Sequence, residues 1–385
     1  MHTKKVIIVG GGMVGALAAC LLAQQGHEIF LFEKKPCVAI IDNEPFDLRV
    51  SAFSAKSNKL LELAGVWSLL PSSRLCSYQG LQTWEQNSQK LSFDSSDLGL
   101  DELGCFIENR CVQSALWQQL KQYKHVTFYD NTDIVDIKNQ KTSVTVILGN
   151  QQQLQADLLI GCDGANSMVR DVLNIGVTAW DYRQHCMLIN IKTDTKQQNV
   201  TWQVFRETGP CAFLPLAGNN ASLVWYHSPE QINYFKSLTN EQLKAVIVEQ
   251  FPPLNFDFSV EDKGSFPLTR QHAHHYFKNN CVLLGDAAHT INPLAGQGVN
   301  LGFKDVACLV ELLKSNDDLS VDILLKRYER MRKPANLLMQ TGMDIFYKSS
   351  RSGLPVIRFL RRGLLIAAEN SGPLKNKVMK YAMGL

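Results

Sequence analysis

The sequence predicts an α/β fold, α+β overall, and three observations carry that prediction. An apolar run ends in a glycine cluster near the N-terminus, in "VIIVGGGMVGALAACLLAQQGHEIFLFEK". Two further apolar runs end in glycine turns far downstream: "ADLLIGCDGANSMVR" (156–170) and "NCVLLGDAAHTINPLAGQGVNLGFKD" (280–305). Between these lie stretches of alternating or apolar character, "HCMLINIKT", "NVTWQVFRET", "CAFLPL" and "ASLVWYH". Apolar strands that enter glycine turns read as βα units, and the intervening stretches read as a mixed or mainly antiparallel sheet.

The first element is a strand over Val6–Val9 that runs into Gly10, Gly12 and Gly15, spaced GxGxxG. A helix follows with Val14, Leu17, Ala18, Leu21 and Leu22 on one face, and Gly26 ends it. A second strand, Ile29–Phe32, ends at Glu33 and Lys34. Each glycine has a task. Gly10 permits the tight turn, Gly12 lets a pyrophosphate approach the backbone, and Gly15 lets helix and strand pack closely. The helix N-terminus, at Met13 and Val14, offers free N–H groups to phosphates. Glu33 is placed to accept hydrogen bonds from an adenosine ribose. This motif alone does not separate NAD from FAD, because both contain ADP.

The second element is a strand running into Asp163 and Gly164, with Ser167 and Arg170 beyond. The third is a strand over Val282–Leu284 that enters Gly285 and Asp286. After it come Pro293, Gly296, Gln297 and Gly298, then a helix from about Val299 and Asn300. A ligand longer than ADP gives the third cluster a purpose. In FAD a ribityl chain leads to the isoalloxazine ring, and Asp286 can accept its hydroxyl bonds. The turn from Pro293 to Gly298 lets the backbone pass close to the ring. A helix N-terminus aimed at the flavin N1–O2 edge stabilises its anionic reduced form.

The three motifs are far apart in the chain, so the nucleotide domain is expected to be discontinuous, at 1–75, 103–178 and 276–340. Segments 76–102 and 179–275 form a substrate domain, with Phe213, Pro215, Trp225 and Pro293 expected to line its pocket. Residues 341–385 form a C-terminal helical tail. Its stretch "LPVIRFLRRGLLIAAEN" is apolar except for Arg358, Arg361, Arg362 and Glu369. Such a helix is buried, paired with a partner, or laid on a membrane interface.

Composition removes other classes. The chain has 39 basic and 36 acidic residues, a net charge of +3, which argues against a general nucleic-acid binder. The ten cysteines form no CxxC pair and read as reduced, packed side chains. His272, His274 and His275 form an HxHH cluster with no acid or cysteine near enough in sequence to complete a metal site, so an exposed turn is the better reading and no metal is expected. His289 reads as structural. The N-terminus has the wrong shape for a signal peptide, and no apolar stretch has the length of a spanning helix. A cytoplasmic protein is expected, with the tail as its peripheral contact at the inner face of a membrane.

In order and spacing, the three motifs resemble those of the FAD-dependent aromatic hydroxylases built like para-hydroxybenzoate hydroxylase. "DLRVSAFSAKSNKLLELAGVW", "ENRCVQSALWQQL", "FPLTRQHA" and "LKNKVMKYAMGL" extend the resemblance over essentially the whole chain, to the ubiquinone-biosynthesis hydroxylases. The resemblance implies a Rossmann-like FAD-binding domain, NAD(P)H as electron donor, and O2 and a polyprenyl-methyl-methoxy-benzoquinol as substrates. Other ubiquinone-biosynthesis proteins are its implied partners. It places Arg49 beside the flavin, against the alternative of a surface arginine paired with Asp47. It puts Asn109 where many relatives carry an arginine or glutamine that contacts FAD, so Asn109 is the expected contact; the asparagine is a departure, with a helix N-cap as its alternative role and Arg110 as the competing candidate. Ile134 could meet the adenine through its backbone or be an ordinary sheet residue. Pro293 and Arg49 are the residues expected nearest the chemistry, which the flavin itself performs. A sister ring hydroxylase, a same-fold flavin reductase or dehydrogenase, and a non-catalytic scaffold remain alternatives.

Overall fold

The computed structural model describes residues 3–35, 44–85, 90–252, 254–292, 296–315 and 319–351. Its central sheet has six strands: β1 (Lys5–Val9), β2 (Glu28–Glu33), β8 (Val126–Asp130), β12 (Leu158–Gly161), β18 (Phe277–Lys278) and β19 (Cys281–Leu283). Their spatial order is β18-β19-β12-β1-β2-β8, parallel except for the β18–β19 pair. Val9 is level with Gly161 and Phe32, and Gly161 is level with Leu283. All three glycine turns therefore leave the same carboxyl edge of one sheet, side by side. Ligands of open α/β sheets bind at that edge.

Helix α1 (Met13–Gln24) is buried from Gly15 through Ala23, on every side and not on one face only. It lies under α3 (Asn109–Leu120) and α7 (Gln297–Ser315). Strands β3 (Val50–Ser54), β4 (Cys76–Tyr78) and β7 (Gly104–Glu108) form a small sheet, with α2 (Ala55–Leu63) running on from β3. Strands β9 (Ile134–Asn139), β10 (Val144–Leu148) and β11 (Gln153–Ala156) form another, and α4 (Met168–Val172) follows β12.

An eight-stranded sheet makes the second layer. It comprises β5 (Gly80–Glu85), β6 (Leu91–Asp94), β13 (Val177–Thr193), β14 (Val200–Phe205), β15 (Cys211–Pro215), β16 (Asn220–His227), β17 (Phe258–Ala273) and β20 (His289–Thr290). The order is β20-β17-β13-β16-β15-β14-β5-β6. It is mixed, since β14 and β5 run parallel. β13 and β17 are long enough to reach back to the flavin-motif layer. A register shift between Asp181 and His185, with Arg183 at φ 53°, bends β13 on the way.

Several expectations are corrected here. β4, which starts at Cys76, pairs with β7 and so lies outside the second sheet. β20, inside the third motif, joins that sheet through β17. α8 (Val321–Arg351) runs unbroken through position 340, where a boundary was expected. Helices α5 (Pro229–Ser237) and α6 (Asn240–Gln250) were not anticipated, although Thr239 and Gln242 form a capping box that the sequence displays. They cover one face of the second sheet. Phe213 and Trp225 lie in that covered core, where Trp225 stacks on Phe235 with centroids 4.5 Å apart. They do not line a pocket over the motifs. Strand parity decides the matter: Val224 and Tyr226 take the opposite face, with Phe266 and Leu268. Pro215 is buried two residues beyond Phe213 along the same strand. The expected tail helix and Pro293 lie outside the described residues.

Candidate flavin site

The site is assembled by close contacts among glycines. A methyl group at Gly10, whose φ is +102°, would stand 2.4 Å from Cys162 O, and one at Gly15 would stand 1.9 Å from Gly10 O. The first and second motifs are thus in backbone contact, with Cys162 packed beneath them. Val14 packs against Gly285 and Gly302, where an added methyl would lie 3.3 Å and 2.7 Å from its side chain. A methyl at Gly296 would lie 3.0 Å from Ala52 Cβ. These contacts bring the third motif onto α1 and onto the β3 strand that follows Arg49.

Gly12 meets nothing within 4 Å at its missing side chain. As N-cap of α1 it makes no side-chain capping bond, and the first turn has no acid. That leaves free N–H groups beside open space, which suits a pyrophosphate. Gly164, at φ +81°, is similarly open. Glu33 Oε2 accepts from Gly11 N at 2.7 Å and Oε1 from Lys35 N at 3.0 Å. It closes the loop and keeps lone pairs for a ribose. Lys34 is exposed beside it. Ile134 starts β9, near Asn131, whose N donates to Glu33 O at 3.1 Å. Trp117 Nε1 and Gln113 Nε2 both donate to Gly11 O, at 2.8 and 2.9 Å, and lock the turn from above.

Asp286 is exposed, yet protein crowds it from most sides, as on the floor of a cleft. Crowding raises its carboxyl above the ordinary range, while His289 and Arg49 pull it back. Arg49 stands over the Phe266 ring, 5.5 Å from its centroid. Asp47 accepts from the Arg49 backbone N and lies 3.9 Å from the Arg110 guanidinium, so Arg110 is its side-chain ion partner. Met13, Gly298 and Val299 are partly exposed around the same edge. These donors and acceptors fit FAD: open N–H groups for phosphates, an acid for hydroxyls, and glycines where the backbone must pass.

Other expected contacts have structural employment. The Asp163 carboxylate accepts from Ser167 Oγ and Val169 N and so caps α4. Asn300 is fully buried. Its Oδ1 accepts from Ser54 N and Ser57 Oγ, and its Nδ2 donates to Ala52 O and Gly296 O. It clamps the third turn to β3 and keeps no free bond for a ligand. Asn109 is the first residue of α3, not its cap, and its Oδ1 accepts from Ser51 Oγ at 2.6 Å. Arg110 holds segment 44–47 through Glu44, Pro45 O and the buried Glu108. The Gln297 backbone opens α7.

The sequence reading missed the centre of this arrangement, Asp305. It is wholly buried, accepts from Gly285 N at 3.1 Å, and lies 2.5 Å from His289 Nε2. Arg332 Nε and Asn336 Nδ2 reach its other oxygen at 2.7 and 3.0 Å. Burial pushes its carboxyl up, but His289 and Arg332 outweigh that and hold it at about 2. His272 is likewise buried, not in an exposed turn: Nδ1 meets Gln340 Oε1 at 2.7 Å, and burial lowers its pKa to about 4. Among the described residues no cluster could hold a metal, and the nine described cysteines are free thiols. A cavity of about 750 Å³ beside Trp84, Trp202 and Phe213 contains none of the motif residues.

Comparison with known proteins agrees with this geometry. Residues 3–340 match the FAD binding domain family. The chain is 42% identical to the 3-demethoxyubiquinol 3-hydroxylase of Escherichia coli K12, over 99% of this chain and 98% of that one. It is 31% identical to a ubiquinone biosynthesis monooxygenase of Xenopus tropicalis, covering 98% and 92%. It is 30% identical to a ubiquinone hydroxylase of Rhodospirillum rubrum, covering 98% and 89%. The fold is shared with p-nitrophenol 4-monooxygenase of Pseudomonas putida, at a TM-score of 0.78, 17% identity and coverage of 100% and 99%. The chain therefore belongs to the FAD-binding-domain family of flavoprotein monooxygenases, in the branch that hydroxylates rings in ubiquinone biosynthesis.

Proposed function

We propose that this enzyme hydroxylates a polyprenyl-methyl-methoxy-benzoquinol, the demethoxy precursor of ubiquinol, at its last ring carbon bearing hydrogen. The observation that carries this reading is the 42% identity, nearly end to end, with a 3-demethoxyubiquinol 3-hydroxylase. Bound FAD supplies the oxygen activation, with NAD(P)H as donor. The chain's own residues bind, orient and exclude water. Gly12 would leave room for the pyrophosphate while Gly10 and Gly15 close the turn, Glu33 would take the ribose, and Asp286 the ribityl hydroxyls. The α7 N-terminus, with no acid in its first turn, favours negative charge on the reduced ring. Arg49, near enough to Asp286 to act on its carboxyl, adds a positive charge to the site.

The proposed organisation is a discontinuous FAD domain (1–75, 103–178 and 276–340) with a substrate domain between its parts. The quinol ring is proposed to lie against the sheet face of Val224, Tyr226 and Phe266, a mostly apolar wall. Tyr226 OH donates to Asn292 Oδ1 at 3.3 Å and so ties that wall to the third motif. An apolar wall suits a neutral quinol and keeps the site dry. The polyprenyl chain is lipid-soluble, so peripheral membrane contact is part of the proposal. Cells lacking this protein should accumulate the demethoxy quinone, identified by mass spectrometry of quinone extracts. Accumulation of an earlier intermediate, without the methoxy or methyl group, would assign the chain to a sister ring position.

A further inference from the structure

The outer face of α8 carries a pattern that the flavin site does not use. Met331, Pro334, Leu338, Thr341 and Ile345 recur at three- and four-residue steps and form one line along the helix. Met331 is 58% exposed, Leu338 61% and Ile345 64%. Leu337, Ala335 and Gly342 flank them, also exposed. The outward positions from Met331 to Ile345 thus include no charge over about 21 Å of helix. Arg330 stands exposed at one end; Lys348 is exposed at the other, with its Nζ 5.7 Å from the Trp180 ring centroid at the edge of the second sheet.

The opposite face of α8 is fully employed. Asn336 and Arg332 bind Asp305, Gln340 binds His272, and Asp344 pairs with Arg270 on β17. Lys333 turns aside to His274 O. The apolar line is therefore a second face, separate from the one that packs on the core. Contiguous exposed apolar surface of this kind marks an interaction site. Cations at both ends and no acid at the outward positions between them complement an anionic surface. Residues 352–385, which follow directly from the helix end, carry six cations and one acid and continue the same sign.

We propose that the outer face of α8 is a docking surface for an anionic lipid bilayer. Met331, Leu338 and Ile345 enter the interface, while Arg330 and Lys348 meet the headgroups. The inner face of the same helix holds the sheet that walls the ring seat, through Asp344–Arg270 and Tyr347–Gln184. Docking would thus bring the substrate layer to the membrane surface. The choice of lipid over a protein partner rests on the reading of the substrate as a polyprenyl quinol.

The test uses the FAD-loaded full chain and flotation with phosphatidylcholine vesicles, with and without phosphatidylglycerol. Wild type is expected to float with the anionic vesicles and to release in high salt. Leu338→Glu with Ile345→Glu should lower the bound fraction by about tenfold or more. Arg330→Glu with Lys348→Glu should abolish the preference for phosphatidylglycerol. Leu338, Ile345 and Arg330 are exposed and touch no described residue of the flavin site or the ring seat, so for the Leu338/Ile345 pair and for Arg330→Glu alone, flavin content and turnover of a short-chain, water-soluble quinol should match wild type. Unchanged flotation of the Leu338/Ile345 variant would overturn the proposal and leave the tail as the only anchor. A change in oligomeric mass without a change in flotation would also overturn it, in favour of self-association. If flotation behaves as expected but no quinol is hydroxylated, the docking surface stands and the substrate reading fails.

Discussion

The first and third glycine turns leave the same sheet edge, but they are held in different ways. The first is held largely by backbone contacts, with the uncharged Gln113 and Trp117 side chains and Glu33 bonding Gly11. Gly10 N donates to Phe32 O at 2.8 Å, Cys162 N donates to Val9 O at 2.7 Å, and glycine lets these chains touch. The third is held by buried side chains from distant segments, with Asp305 receiving Gly285, His289, Arg332 and Asn336. A turn held largely by backbone depends first on residue size where the chains touch. A turn held by buried charge needs every partner present, because each one left alone in the interior costs several kcal/mol. The ADP side should therefore tolerate loss of its ligand, while the flavin side is coupled to global stability through α7 and α8.

Four experiments bear on that contrast, taken in order of the stability at stake. Asp305→Ala strands a buried His289 and Arg332, and should cost about 3–5 kcal/mol in urea denaturation. A loss below about 1 kcal/mol would show that the network is not the support of the third turn. Gly15→Ala should cost about 1–3 kcal/mol by overpacking, since its methyl would meet Gly10 O at 1.9 Å. An unshifted melting temperature would contradict the close contact.

The third experiment is pH. His272 is held neutral in the fold down to about 4, whereas it takes up a proton near 6.5 when unfolded. The unfolded state binds the extra proton in that window, so stability should fall as pH drops from 6.5 to about 4, by up to about 1.4 kcal/mol per pH unit. His272→Gln should flatten that slope. Asp305 has the usual carboxylate sign: its stabilisation holds above pH 3.8 and drains as pH falls towards about 2.

The smallest stability effects belong to the open positions. A Cβ at Gly12 meets no protein atom within 4 Å, so Gly12→Val should fold with a little-changed melting temperature yet purify without yellow colour. Asp286→Asn relieves a crowded carboxylate and should leave stability unchanged or slightly higher. It should weaken FAD binding by about tenfold, read by flavin fluorescence on dilution. Full flavin occupancy in both variants would remove these residues from the site.

The motif glycines were legible in the sequence because their reason is local. A strand, a tight turn and a helix occupy adjacent residues, and each glycine answers a clash with a near neighbour or with the next strand of the sheet. Asp305 was in plain view, seven residues past Gly298 in the same motif, but nothing local marks it as the hub. Its partners Arg332 and Asn336 come from α8 and are set only by how two helices cross. Asn300 and Asp163 show the converse. Their positions matched ligand contacts, and only tertiary structure showed their bonds already given to Ser54, Ser57, Ser167 and Val169.

The second sheet divides in the same way. Its strands were visible as apolar or alternating runs, but a period of two leaves each strand with two possible inward faces. Phe213 and Trp225 were assigned to the flavin side, and α5 and α6 claimed them. What the sequence determined by itself was the order of the motifs, the strands that carry them and the acids at their ends, because these follow from residue size and spacing along one segment. What only the tertiary structure decided was which face of each strand meets the cleft and which polar groups are already paired. Both depend on how separate elements pack against one another, and the periodicity of a single segment does not encode that.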